Sequence, residues 1–135
     1  MRSKEKILLV DDDLDFLEMH KAVLASHGYD VLTARSGQEG LERVRAEMPD
    51  MIILDLMMEK HDAGFSFSQK IKTDPLFKSI PILMVTSVAE ATGYRFSLPE
   101  DGYWMKTDDF LDKPVPPDVL IERVEKLLKD RKSST

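Results

Sequence analysis

Short, uniformly apolar runs alternate along this chain with stretches in which apolar residues recur at helical spacing. Lys6-Ile7-Leu8-Leu9-Val10 leads into Asp11-Asp12-Asp13 and reads as a strand buried on both faces. From Leu14 to about His27, Leu14, Leu17 and Leu24 share a helical face with Phe16 and Val23 beside them, and Gly28 follows as a stop. The pattern repeats. Tyr29 to Ala34 reads as a second strand, and Ser36-Gly37-Gln38-Glu39 opens a helix with a capping-box signature, with Leu41 and Val44 on its apolar side. Pro49-Asp50 closes it ahead of a third strand, Met51-Ile52-Ile53-Leu54, which runs into Asp55.

A third helix is expected from Gly64 to about Thr73, carrying Phe65, Phe67 and Ile71 and ended by Asp74-Pro75. The fourth strand is Ile80 to Val85, with Pro81 tolerated only at its start, running into Thr86-Ser87. Residues 88–108 are less regular, with two glycines, one proline and the aromatics Tyr94, Phe96, Tyr103 and Trp104. Phe110-Leu111 is a short fifth strand before Asp112-Lys113-Pro114, and Asp118 to Lys129 reads as a helix after Pro116-Pro117. The expected organisation is one domain over residues 1–129 with a polar tail at 130–135.

Strands alternating with helices imply a parallel sheet covered on both faces, because right-handed crossovers return the chain in the same direction each time. Five such units give an α/β, flavodoxin-like three-layer sandwich with strand order 2-1-3-4-5. In such sheets ligands bind outside the carboxyl ends of the strands. Asp11, Asp12, Asp13, Asp55, Thr86 and Lys113 all fall at those ends, so they are expected to converge on one rim.

Composition narrows the chemistry. A length of 135 residues suits one compact domain, and the absence of cysteine excludes disulfides, thiolate metal sites and a cysteine nucleophile. The net charge of -6, with its basic residues dispersed, argues against direct nucleic-acid binding. No apolar stretch approaches the roughly 20 residues of a membrane-spanning helix, and the first residues do not form a secretory leader. The expectation is a cytoplasmic protein with no membrane partner.

Carboxylates crowded on one rim repel one another unless a cation sits among them. Mg2+ suits such a set: it is hard, takes oxygen ligands, and is commonly shared with a phosphate oxygen. Asp12 and Asp55 can supply carboxylate ligands and Asp11 can hold a metal-bound water. A carboxylate can attack phosphorus once the charge on the transferring group is neutralised. Lys113 offers a point charge for that purpose and Thr86 a hydroxyl for a phosphoryl oxygen.

These residues resemble the response-regulator receiver family of two-component signalling. The matching pieces are Leu8 to Asp13, Ile52 to Met58, Ile82 to Ser87 and Asp109 to Pro114, in the family's order and near its spacing, over essentially the whole chain. The resemblance implies that Asp55 accepts a phosphoryl group from a partner sensor histidine kinase or phosphotransfer protein. It implies that Asp12, Asp55 and the Met57 carbonyl bind Mg2+ with Asp11 completing the acidic set. It also implies that Lys113 contacts the phosphoryl group and that Thr86 and Phe110 form a switch pair. Phosphorylation adds about −1.5 to −2 charges. Thr86 moving toward them would vacate space for the Phe110 ring and alter the face of the fourth helix and fifth strand, where a downstream protein target is expected to bind.

Two departures stand out. Glu59 occupies a position where the family usually has proline, and Gly64 comes one residue late, so the loop after Asp55 is expected to be reshaped. Met57 and Val88, at positions that in this family tune hydrolysis, cannot orient an attacking water, which implies a slowly decaying phosphoryl group; a lifetime of only seconds in the isolated protein would contradict this.

Other readings fit these residues less well. A dehalogenase-like phosphatase requires an acidic pair after a late strand, whereas Asp108-Asp109 precede the last strand and Lys113 follows it. A flavin-binding protein would want a hydroxyl- and glycine-rich phosphate loop where the three aspartates stand. The full acid set with Thr86 and Lys113 argues against a pseudo-receiver, which binds without being phosphorylated, although the altered loop at Glu59 keeps that reading open. Taken alone, Asp13 reads as a helix N-cap, Phe110 as core and His20 as a packed residue.

Overall fold

The computed structural model describes residues 5–55, 63–86, 109–112 and 115–133. Five strands, β1 (Lys6–Val10), β2 (Asp30–Ala34), β3 (Met51–Leu54), β4 (Ile82–Thr86) and β5 (Asp109–Asp112), form one sheet. Their order is β2-β1-β3-β4-β5 and every neighbouring pair is parallel. The described helices are α1 (Leu14–Ser26), α2 (Gly37–Glu47), α3 (Ala63–Lys72) and a C-terminal helix (Pro117–Ser133). The fourth helix expected within 88–108 lies outside the described residues.

Side chains of a strand point alternately to opposite faces, so an unbroken apolar run must feed two cores. That division is complete here. Ile7 and Leu9 of β1, Met51 and Ile53 of β3, and Leu83 and Val85 of β4 join a cluster with Leu17 and Leu24 of α1 and Leu120 and Val124 of the C-terminal helix. Leu8 and Val10, Ile52 and Leu54, and Ile82 and Met84 face the other way, toward Val44 of α2 and Phe67 and Ile71 of α3. The sheet is thus covered on both sides by described helices, giving the α/β sandwich expected from the alternation of elements.

Local signals set the element ends. Asp13 caps α1, its carboxylate accepting from the N–H groups of Asp15 and Phe16. Gly28, at φ 91°, turns the chain out of α1 in a conformation that costs glycine nothing. Ser36 caps α2 and accepts from the N–H of Glu39.

Several expectations need correction. Leu14 does not join the core: it is the first residue of α1 and is 47% exposed, while Phe16 is buried. Pro81 precedes β4 rather than opening it; lacking an N–H, it contributes its carbonyl, which accepts from Ile52 N–H at 3.0 Å. The C-terminal helix runs to Ser133, through most of the segment expected to be a polar tail. Asp130, Arg131 and Lys132 include no glycine or proline to stop it, and polarity alone does not end a helix.

Gly40 lies where α2 crosses the sheet beside α3. A Cβ there would stand 2.9 Å from Phe67 Cε1 and 3.2 Å from Val10 Cγ2, both in a packed core. Replacing Gly40 with valine is expected to destabilise the fold by about 1–3 kcal/mol through overpacking, measured by urea denaturation. An unchanged midpoint would mean that the α2–α3 contact yields freely.

Tyr29 packs against the edge of the α1 core. Burial pushes its phenol up from the ordinary 10.0, and the carboxylates of Glu125 and Glu5 push it further. The folded protein therefore holds this proton more tightly than the unfolded chain. The stability it contributes is fully present below pH 10.0 and is lost as pH rises from there through the folded value. Tyr29→Phe is expected to make the decline in stability above pH 10.0 shallower, and denaturation midpoints on either side of that pH measure it.

Candidate functional site

The carboxyl ends of the central strands lie level with one another. Val10 pairs with Leu54 and with Ala34, Leu54 with Met84, and Thr86 with Asp112. The next residues in sequence continue the alignment: Asp55 N–H donates to the Val10 carbonyl at 3.0 Å, and Asp11 N–H donates to the Ala34 carbonyl at 3.1 Å. Asp11 and Asp55 are therefore the first residues beyond two adjacent central strands, and their backbones are fixed by the sheet itself.

Three carboxylates meet there. Asp11, Asp12 and Asp55 each offer a ligand atom, and these atoms lie within 4.8 Å of one another. Asp11 is 1% exposed and Asp55 5%. Asp12 is half-buried. Burying negative charges together is costly unless hydrogen bonds and a cation compensate. Part of that compensation is local, because Asp11 Oδ1 accepts from the Asp13 N–H at 2.9 Å and so closes the turn that carries Asp12.

The donor set fits magnesium. Mg–O distances of about 2.0–2.1 Å in an octahedron place two ligand oxygens about 3 Å apart when adjacent and about 4.2 Å when opposite. The trio of carboxylate oxygens, all within 4.8 Å of one another, is close to that spacing.

The expected site residues divide by what the structure describes. Asp11, Asp12 and Asp55 come together as their strand-end positions imply. Thr86 ends β4, and its backbone pairs with Asp112, the residue before Lys113. Phe110 lies in β5, paired with Met84. Met57, Glu59, Val88 and Lys113 lie outside the described residues.

The structure adds two residues that the strand-end pattern missed. Arg35, just after β2, donates through Nη2 to the Asp12 carbonyl at 3.3 Å. Glu39 accepts the Arg35 backbone N–H at 2.8 Å, one residue earlier than the usual capping-box return to the N-cap. The capping-box signature at Ser36–Glu39 pointed to Glu39, but nothing in the sequence pointed to the reach of Arg35.

A parallel α/β sheet with clustered aspartates at its carboxyl edge defines an acidic strand-end site of the kind that can hold a divalent cation. Comparison with known proteins makes the class definite. The model of the response regulator receiver domain matches residues 7–125. The chain is 35% identical over 129 residues to the "Probable transcriptional regulator ycf27" of Guillardia theta, covering 96% of this chain and 47% of that protein. Among solved structures it is similar to a putative response regulator from Chloroflexus aurantiacus J-10-fl, with 32% identity, TM-score 0.80, and coverage of 93% of this chain and 98% of that one. A CheY-like receiver domain protein from Methanospirillum hungatei JF-1 gives 26% identity and TM-score 0.82 over 98% of this chain and 100% of that one.

The chain belongs to the response-regulator receiver domain family of two-component signalling. It spans about half the length of the Guillardia relative. Receiver domains are signalling phosphoacceptors rather than ordinary enzymes: they take phosphoryl groups from histidine kinases or phosphotransfer proteins, and typically bind Mg2+ in an acidic pocket. The Asp11, Asp12 and Asp55 cluster is compatible with both Mg2+ binding and aspartyl phosphorylation. Among the described residues no helix is long and apolar enough to cross a membrane.

Proposed function

We propose that Asp55 is the phosphoacceptor and that residues 1–129 work as one receiver unit in the cytoplasm. The observation that carries this is the convergence of Asp55 with Asp11 and Asp12 at the ends of adjacent central strands. Asp12, Asp55 and the Met57 carbonyl would hold Mg2+, with Asp11 holding its water. Bound there, the ion supplies charge neutralisation for an incoming phosphoryl group.

The chain's own residues have distinct tasks. An Asp55 carboxylate oxygen attacks phosphorus, forming an O–P bond as the P–N bond of the donor phosphohistidine breaks and its electron pair returns to the imidazole. The backbone hydrogen bond from Asp55 N–H to Val10 holds the nucleophile at a fixed depth in the rim. Lys113 contacts the phosphoryl oxygens, and Thr86 with Phe110 carries the change toward the face of β5 and the helix expected before it. A downstream protein then reads that face, without direct contact between this unit and nucleic acid.

The test is to incubate the protein with a small phosphodonor, with and without Mg2+, and follow phosphoryl incorporation by intact mass. Incorporation of one phosphoryl group that depends on Mg2+ supports the reading. No incorporation in the presence of Mg2+ overturns it.

A further inference from the structure

The turn that carries Asp12 is braced from the neighbouring strand. Asp11 N–H donates to the Ala34 carbonyl, so the chain leaves β1 and β2 side by side. Arg35 is the next residue after β2, and its guanidinium crosses to the Asp12 carbonyl, 3.3 Å away. The backbone of Arg35 is itself held. Glu39 Oε1 accepts its N–H at 2.8 Å, while the Glu39 N–H donates to Ser36 Oγ at 3.1 Å. A chain of hydrogen bonds thus runs from the first turn of α2 through Arg35 to the backbone of Asp12.

We propose that Arg35, fixed by Glu39, is a positioning residue that holds Asp12 in its ligating conformation and so sets the affinity of the rim for Mg2+. The inference rests on the reading of this rim as a Mg2+ site. Asp11 Oδ1 already anchors the Asp13 end of the turn. The Arg35 contact anchors Asp12 itself, between those two residues.

Arg35 also brings a positive charge, which opposes cation binding, so two effects of opposite sign compete. The side chain is exposed, so the high dielectric of water weakens its effect on the ion. Removing the partners that orient metal ligands typically costs about 10–100-fold in affinity. Here the bond goes to the ligand's backbone rather than to its carboxylate, so the expected net loss is smaller, about three- to tenfold.

The experiment is a Mg2+ titration by calorimetry of the native chain, Arg35→Ala, Glu39→Ala, the double variant and Glu39→Gln, with a denaturation midpoint for each to establish folding. Positioning predicts weaker Mg2+ binding in Arg35→Ala and in Glu39→Ala, and no further loss in the double variant. It also predicts native affinity in Glu39→Gln, whose amide oxygen can still accept the Arg35 N–H. A charge effect alone predicts the contrary pattern, with Arg35→Ala binding more tightly and the two single effects adding. Unchanged or tighter binding in Arg35→Ala overturns the proposal while leaving the Mg2+ site intact. Absence of binding by the native chain overturns the site and the proposal together.

Discussion

Asp55→Asn is expected to reduce phosphoryl incorporation from a small donor to background, a loss of roughly a thousandfold or more in rate, because a neutral amide oxygen is a far poorer nucleophile than a carboxylate. The protein should remain folded. Asp55 is nearly buried within 4.8 Å of two other acids, so the amide removes one of three mutually repelling charges while keeping the shape of the side chain. Intact mass and a denaturation curve on the same preparation separate lost chemistry from lost structure. Incorporation at the native rate would mean that the acceptor lies elsewhere.

Phe67→Ala is expected to cost about 3–5 kcal/mol, a large share of the roughly 5–15 kcal/mol that holds a domain of this kind together. Phe67 is 2% exposed and fills the space between α3, α2 and the sheet. The absence of a side chain at Gly40 is what admits its ring, whose Cε1 lies 2.9 Å from where a Cβ would stand. Alanine leaves a cavity that α2 and the sheet cannot both close. Gly40→Val should therefore be much less harmful in the Phe67→Ala background than in the native protein, a coupling that denaturation of the two single variants and the double variant measures. A loss below about 1 kcal/mol for Phe67→Ala would show that the site collapses without strain.

The central strands were legible because they are short apolar runs whose alternate residues must serve two cores. Ile7 to Val10 and Met51 to Leu54 read as strands of a sheet covered on both sides, and the structure divides them residue by residue. The acidic rim was legible for the same reason: once the strands are parallel, whatever follows Val10 and Leu54 must lie side by side. Element ends were harder. Leu14 follows helical spacing, yet it occupies the first helical position, where the chain has not yet turned toward the core. Ser133 lies beyond Leu128, the last core residue among those described, in a polar stretch whose helix could not be read from apolar spacing.

The contact from Arg35 to Asp12 was illegible for a different reason. It joins the loop after one strand to the turn after another, across 23 residues of sequence, and no local pattern marks how far an exposed arginine reaches. Glu39 was visible as half of a capping box, but its bond to Arg35 rather than Ser36 depends on how tightly the loop turns.

The most direct test of the central claim is to locate the phosphorylated residue. The protein is incubated with Mg2+ and a small phosphodonor, the acyl phosphate is reduced with borohydride to leave homoserine at the modified aspartate, and the digest is sequenced by mass spectrometry. Homoserine at position 55 and at no other aspartate is the predicted result. Homoserine at position 11 or 12 in place of 55, or none after phosphodonor treatment in Mg2+, would contradict it.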